Sequence, residues 1–300
     1  DHNKVSVGLA KNCENCRAIQ YAALARKALD ESGYNDVPII TTGSDTKDMH
    51  PGFKLDIGFK LHMLWGIATM DCIETIYRAS RPYEVHKGDT QKVYDYWLPL
   101  LMHEIAYTPK KFIAYPRSVL QMLERTIDAF NEIELDRTVR KPRVSLLGEI
   151  LMNYHPSANG YIENYLMDNG MEVVLPGMMD FFRVDEVVRM EKIRRGFIQH
   201  PFGNWILGGI TGKVYTFAVD QVNKRAQRYK FYEHHADCYE LVHLIGDIID
   251  PSYNSGEGWL IPGEILYNAS KGVNSFIIVQ PFACLANHIS GRGLTKAVKA

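Results

Sequence analysis

Two hydrophobic rhythms alternate along this chain. Short apolar runs bounded by glycine, proline or polar residues occur at Val5 to Leu9, Val37 to Thr42, Val144 to Leu147, Met171 to Leu175 and Phe276 to Val279, and each predicts a strand. Between the first two, Ile19, Ala22, Ala23, Ala25, Ala28 and Leu29 recur at helical spacing with Gly33 as the stop, so the chain opens with strand, helix, strand. Phe53 to Ala79 and Lys92 to Glu134 are rich in helix formers, with Gly58 and Gly66 as points of close packing and their Met and aromatic residues as core. Arg137 to Pro142 reads as a polar linker. Beyond it, strand Val144 to Leu147, a polar loop, a helix capped by Gly170 and strand Met171 to Leu175 make a βαβ unit of the doubly wound kind. That unit lacks GxGxxG, so no dinucleotide site is expected. Met178 to Tyr232 is again helical, and Gly196, Gly203, Gly208 and Gly209 are expected to break it into pieces.

The stretch Gly256 to Gly293 organises the rest. A helix closed by Gly272 leads into the continuous apolar run Phe276 to Val279, the pattern of a strand covered on both faces. Pro281 ends it, and Cys284, Asn287 and His288 follow at its carboxyl end, where ligands collect in open α/β sheets. Gly291 and Gly293 then lead into a terminal helix. The loop after the Val144 strand (Glu149, Asn153, His155, Asn159) is faintly similar to the loop after the Phe276 strand (Gln280, Cys284, Asn287, His288). Two such loops at one sheet edge would enclose one site, although HPSAN also suits a turn and helix cap.

Length and charge narrow the classes. Three hundred residues suffice for two lobes: residues 1–140, an α/β lobe carrying a CxxC and a helical insertion, and residues 141–300, a second α/β lobe carrying Cys284. With 34 Lys and Arg against 35 Asp and Glu there is no general attraction to nucleic acid or to an anionic membrane, and neither partner is expected. No apolar run approaches the roughly 20 residues of a membrane span. No secretory signal is seen, and the five cysteines are expected as reduced thiols in a cytoplasmic protein. The chain begins with Asp and stops inside a helical pattern, so it reads as a segment of a longer polypeptide.

Cys72 sits among apolar residues at helical spacing, as a small core residue does. Cys238 has His234, His235 and His243 near it without a standard zinc spacing, and a helix start accounts for Asp237. Cys13 and Cys16 open a helix, where backbone N–H groups and the helix dipole favour thiolate. Three readings stay open for this CxxC. A thioredoxin-like pair fits strand, CxxC, helix, but the usual tryptophan is missing. Structural zinc wants a second ligand pair. An iron–sulfur site needs three or four thiolates, which distant segments can supply.

NCENCRAIQYAALARKALDESGY followed by VPIIT resembles the CGPCRxGQY segment of proteins related to 2-hydroxyacyl-CoA dehydratases and double-cubane cluster proteins, in particular the large proteins related to the activator of 2-hydroxyglutaryl-CoA dehydratase. RASRPYE, KPRVSLLGEILMNYHPSANGYIENYLMDNGMEVVLP, GEGWLIPGEI and VQPFACLANHISGRG are similar to the same family, and the blocks spread over nearly the whole chain. The resemblance implies Rossmann-like lobes with parallel sheets around an oxygen-sensitive 4Fe-4S cluster, or two cubanes joined across a homodimer. It implies Cys13, Cys16 and Cys284 as ligands and an ATP-hydrolysing activator, separate or fused, that delivers low-potential electrons. The activity implied is dehydration of a 2-hydroxyacyl-CoA or reduction of a small molecule. His288 and Glu257 are candidates for a proton or hydrogen bond near the cluster, against a loop-satisfying histidine and a first-turn acid. The chain departs from the family at Glu14-Asn15, where Gly-Pro is usual, and at Ala286, where proline is common. A glutamate beside an anionic cluster would lower its potential unless it points away. The rival readings are a structural or regulatory module of a longer activase-like protein, with a metal that only holds lobes together, and a dithiol oxidoreductase using Cys13 and Cys16 alone.

Overall fold

The computed structural model describes residues 4–9, 20–41, 56–198, 201–253, 256 and 258–300. Strands β1 (Val7–Leu9) and β2 (Ile39–Thr41) pair in parallel, Val7 opposite Ile39, with helix α1 (Tyr21–Glu31) as the crossover. Gly33 takes φ +81°, the left-handed turn that closes α1, as its position in the sequence predicts. Arg26 then ties helix to strand by donating to Val37 O (2.6 Å) and Tyr34 O (2.7 Å). The expected start of this helix at Arg17 lies outside the described residues.

Helix α2 (Ile57–Ser80) starts where the Asp56 carboxylate accepts from Phe59 N. It buries Leu64, Trp65, Ala68, Cys72, Ile73 and Ile76 along one stripe. The region Lys92 to Glu134, rich in helix formers, holds most of two helices, α3 (Asp89–Tyr107) and α4 (Arg117–Asn131). Pro109 and Pro116 explain the break, since neither can donate a backbone hydrogen bond and each disfavours helix in the residue before it. Glu84 caps the start of α3 from outside by accepting from Gly88 N (2.7 Å) and Thr90 N (2.9 Å). Of the proposed close-packing points, Gly58 has Lys110 Cδ 3.1 Å from where a Cβ would stand, whereas Gly66 makes ordinary contact with Ile105.

The second unit follows the linker: strand β3 (Arg143–Gly148), short helices α5 (Ile150–Tyr154) and α6 (Ile162–Asp168), and strand β4 (Glu172–Val174). Helices α7 (Met178–Arg194), α8 (Pro201–Ala226), α9 (Cys238–Ile245) and α10 (Leu260–Ser270) precede strand β5 (Ser275–Val279), and α11 (Thr295–Val298) follows it. The sheet order is β4-β3-β5, all parallel. Its central strand buries Val144 through Leu147, and at its start Arg143 pairs with Glu172 (3.0 Å) and Glu233 (2.5 Å).

Gly196 ends α7 at φ +75°, but Gly203, Gly208 and Gly209 do not interrupt α8, contrary to the sequence expectation. Packing is the reason at two glycines of this helix. A Cβ at Gly208 would stand 3.0 Å from Met190 Sδ, and one at Gly212 would stand 2.6 Å from Glu186 Oε1. Bare backbone there lets α8 lie against α7, which offsets the roughly 1 kcal/mol a helical glycine costs. One core joins α2, α3 and α4 to the sheet and α8 through Trp65, Leu101, Leu123, Phe130, Leu146 and Ala218. A second, between α7, α9 and the start of α10, holds Val187, Cys238, Leu241, Ile245 and Trp259.

Candidate functional site

Strands β3 and β5 end level at the carboxyl edge of the sheet, with Gly148 opposite Val279 and Glu149 N donating to Val279 O at 3.0 Å. The two loops that the sequence places at one edge are therefore neighbours. Gly148 is required for this. Its φ is +153°, and a Cβ would stand 1.8 Å from Val279 O.

In the β3 loop, Glu149 caps α5 by accepting from Met152 N (3.1 Å). Asn159 donates to Met152 O and accepts from Ile162 N, and His155 Nδ1 lies 3.1 Å from Ser157 Oγ, the contacts of a turn and helix cap. Asn153 is different, being 3% exposed with an Oδ1 that has no hydrogen-bond partner among the described residues.

The β5 loop carries Phe282, 98% exposed, and Ala283 at φ +62°, a left-handed conformation that costs a non-glycine residue about 1 kcal/mol or more. This kink turns the chain so that half-buried Cys284 opens a helical turn, widened to π form at Asn287–Gly291. Buried Asn287 donates from Nδ2 to Cys284 Sγ at 3.1 Å. His288 lies beside Cys284 but faces its backbone: Nδ1 is 2.8 Å from Cys284 O, and the Gln280 amide lies 3.3 Å from Nε2. Thus the ring satisfies its own loop. Gly258 seals the turn, since a Cβ there would stand 2.2 Å from Ala286 O. Cys13, Cys16 and Glu257 lie outside the described residues.

Cys72 and Cys238 have a different chemistry. Both are buried, and burial drives each thiol far above its ordinary pKa, with Asp71 adding to the effect on Cys72 and Asp180 on Cys238. Cys238 donates to Asp180 O at 3.3 Å. Asp237 does start α9, in a capping box with Glu240, and its other oxygen pairs with Arg183 at 2.5 Å. His235 meets Thr75 Oγ1 at 2.5 Å and is pushed down to about 4 by burial and by Arg78, while His234 and His243 are exposed. Among the described residues no three His, Cys, Asp or Glu side chains are grouped to hold a metal ion.

The structure adds a site that the sequence reading missed. A cavity of about 710 Å³ lies between α2, α3, the β3 loop and the start of α7, well within the roughly 300–1,000 Å³ of small-molecule sites. Its lining is mainly apolar, with Met63, Met70, Met102, Tyr154 and Tyr161 prominent. Asp71, Glu74 and Arg78 enter from α2, and Glu163 from α6. Arg78 bridges Glu74 (3.1 Å) and Glu163 (3.0 Å), and the Tyr94 hydroxyl donates to Glu74. Asp71 accepts from Met178 N and Met179 N, both at 2.9 Å, and so caps α7, whose own N-cap is Gly177. Burial pushes its carboxyl up to about 6 against those two N–H groups. One signal was present in the sequence: Asp71, Glu74 and Arg78 fall at helical spacing as a charged stripe in the largely apolar second half of α2.

Below Asn153 a cavity of about 40 Å³ is bordered by Asp180 and Glu264. Burial raises Asp180 to about 7, and burial with Asp180 raises Glu264 to about 8. Glu264 Oε2 accepts from Asn268, while Oε1 has no hydrogen-bond partner among the described residues.

These features define a mixed α/β protein with parallel sheets, a half-buried thiol at the carboxyl edge of its three-stranded sheet and a large acidic-apolar cavity beside the neighbouring loop. Compared with protein-family models, curated proteins and solved structures, the chain matches none. Among the described residues no helix is long and apolar enough to cross a membrane.

Proposed function

We propose that this chain is the cluster-bearing part of an iron–sulfur enzyme of the 2-hydroxyacyl-CoA dehydratase or double-cubane type, with Rossmann-like lobes and with Cys13, Cys16 and Cys284 as cluster ligands. One observation carries the reading: the Cys284 thiol stands half-buried at the carboxyl edge of a parallel sheet and receives an N–H from Asn287. The chemistry of the described thiols fits such a group. Cys284 has the access and the amide donor that a ligating thiolate uses, whereas Cys72 and Cys238 are held as thiols by burial. A bound cluster would supply low-potential electrons. Asn287 then orients the sulfur and withdraws charge from it, and His288 places a titratable ring one turn from the ligand. The carboxylate excess in the nearby cavity favours a small-molecule acceptor over a phosphate-bearing thioester. An ATP-hydrolysing activator and a homodimer belong to the same proposal, and the exposed apolar stripe on α8 (Trp205, Ile206, Ile210, Phe217) suits coverage by a second copy.

The test is iron and acid-labile sulfide content of anaerobically prepared protein. About four irons per chain are expected, as for a cubane. They should be lost in Cys13→Ser and Cys284→Ser and kept in Cys72→Ser. Zinc in place of iron, or iron indifferent to Cys284, would overturn the proposal. A filled cluster that reduces no acceptor with activator and ATP would leave the module reading in its place.

A further inference from the structure

The geometry points to the 710 Å³ cavity as a binding site for a small ligand with an apolar body and a protonated amine, recognised by the Asn153 carbonyl oxygen and by the Glu74 and Glu163 carboxylates. Three observations lead there independently of the iron–sulfur reading. Charge is the first. Leaving aside His62 and His235, the lining carries three carboxylates, Asp71, Glu74 and Glu163, against the single guanidinium of Arg78. A cation entering this low-dielectric space gains attraction that an anion would lose.

The second is Asn153. It stands in the wall shared by this cavity and the smaller one beneath, nine-tenths buried and more, with an acceptor oxygen that no described residue satisfies. A buried acceptor without a donor costs about 1–3 kcal/mol; this oxygen is closed off in the ligand-free chain, so a ligand N–H removes that cost by drawing the amide toward the cavity. The third is the wall itself. Methionine adapts to ligand shape, and the Tyr154 and Tyr161 faces attract a cation as they exclude water. Glu74 and Glu163 line the cavity and remain about a quarter exposed at their side chains, and a ligand amine would share them with Arg78, which bridges the two.

Asn153→Leu separates a binding role from a structural one. If Asn153 serves the fold, a leucine, which keeps the branched shape but is bulkier and cannot hydrogen-bond, weakens the protein. If it waits for a ligand, leucine removes an unsatisfied polar group, and the ligand-free protein keeps or raises its Tm. Three probes of equal chain length, hexylammonium, hexanoate and 1-hexanol, are titrated calorimetrically into the full chain. Hexylammonium is expected to bind at least tenfold more tightly than either of the others. Asn153→Leu and Glu163→Gln should each weaken it about tenfold, with Asn153→Leu at unchanged or higher ligand-free Tm. Equal or tighter binding of hexanoate or hexanol, or no hexylammonium binding by the folded wild-type chain, overturns the proposal without any variant. Asn153→Leu with lower Tm and unchanged affinity overturns it too. None of these outcomes depends on iron content.

Discussion

Gly148→Ala is expected to lower the stability of the chain by about 3 kcal/mol or more and to part β5 from β3 at their carboxyl ends. Two costs add. The backbone at φ +153° is open to glycine and strained for alanine, and the new Cβ would stand 1.8 Å from Val279 O, a main-chain atom that cannot swing aside. Relief requires the end of β5 to move, and with it the Glu149 N to Val279 O bond and the loop that carries Cys284. Urea unfolding should show the lowered midpoint, and amide exchange should quicken over Ser275–Val279 more than in α4. A variant with unchanged midpoint and unchanged exchange in β5 would mean that the strand ends are not locked by this contact. Gly33→Ala, at a left-handed turn with open space around it, is the control for backbone strain alone.

Stability is expected to fall as pH rises from about 6.5 to about 8.5, with Glu264 the largest single contributor; below about 6.5 His235, held neutral by burial, works in the opposite direction. Its carboxyl titrates near 8 in the folded chain against an ordinary value of 4.5, and Asp180 and Asp71 titrate near 7 and 6 against 3.8. Between the unfolded and folded values the native chain holds protons that the unfolded chain has released, so stability declines with pH across that window. Below about pH 4 both states are protonated and the native state loses nothing from these groups. For Glu264 the separation corresponds to an effect on the order of 5 kcal/mol. Glu264→Gln keeps the acceptor that Asn268 uses and has no proton to lose. Urea unfolding at pH 5.5 and 8.5 should therefore show a shallower decline for Glu264→Gln and a variant more stable than wild type at the higher pH. Parallel declines would place the titration elsewhere.

Strands were the most legible part of the fold. Each of the five apolar runs coincides with a strand to within about two residues at either end, because a short apolar run between turn formers has few other ways to be buried. Helices were legible in kind but not in extent. Gly208 in α8 signals a break in the sequence but serves the approach of α7, and nothing local distinguishes the two; Gly203 and Gly209 stay helical with open space around them. Pro109 and Pro116 mark the break between α3 and α4 in the sequence, although helix formers run on both sides of it. At the site, Cys284 was legible because a thiol after a strand-ending proline is a local pattern. The cavity was not, because Arg78 and Glu163 meet across 85 positions and only the fold brings their stripe and loop together. Asn153 was read as part of a loop, and its buried, unsatisfied oxygen is a fact of packing alone.

The cap on α7 has a consequence for how the molecule assembles. Its acceptor, Asp71, lies 107 positions before the Met178 amide it receives, so the start of α7 is completed only after α2 has docked. A peptide cut at Gly177 would have a helix start with no side chain to hold it, and closing so long a loop is a cost met before the hydrogen bonds repay it. Late ordering of α7 follows, with α8, which packs along it through Gly208 and Gly212, ordering in the same step.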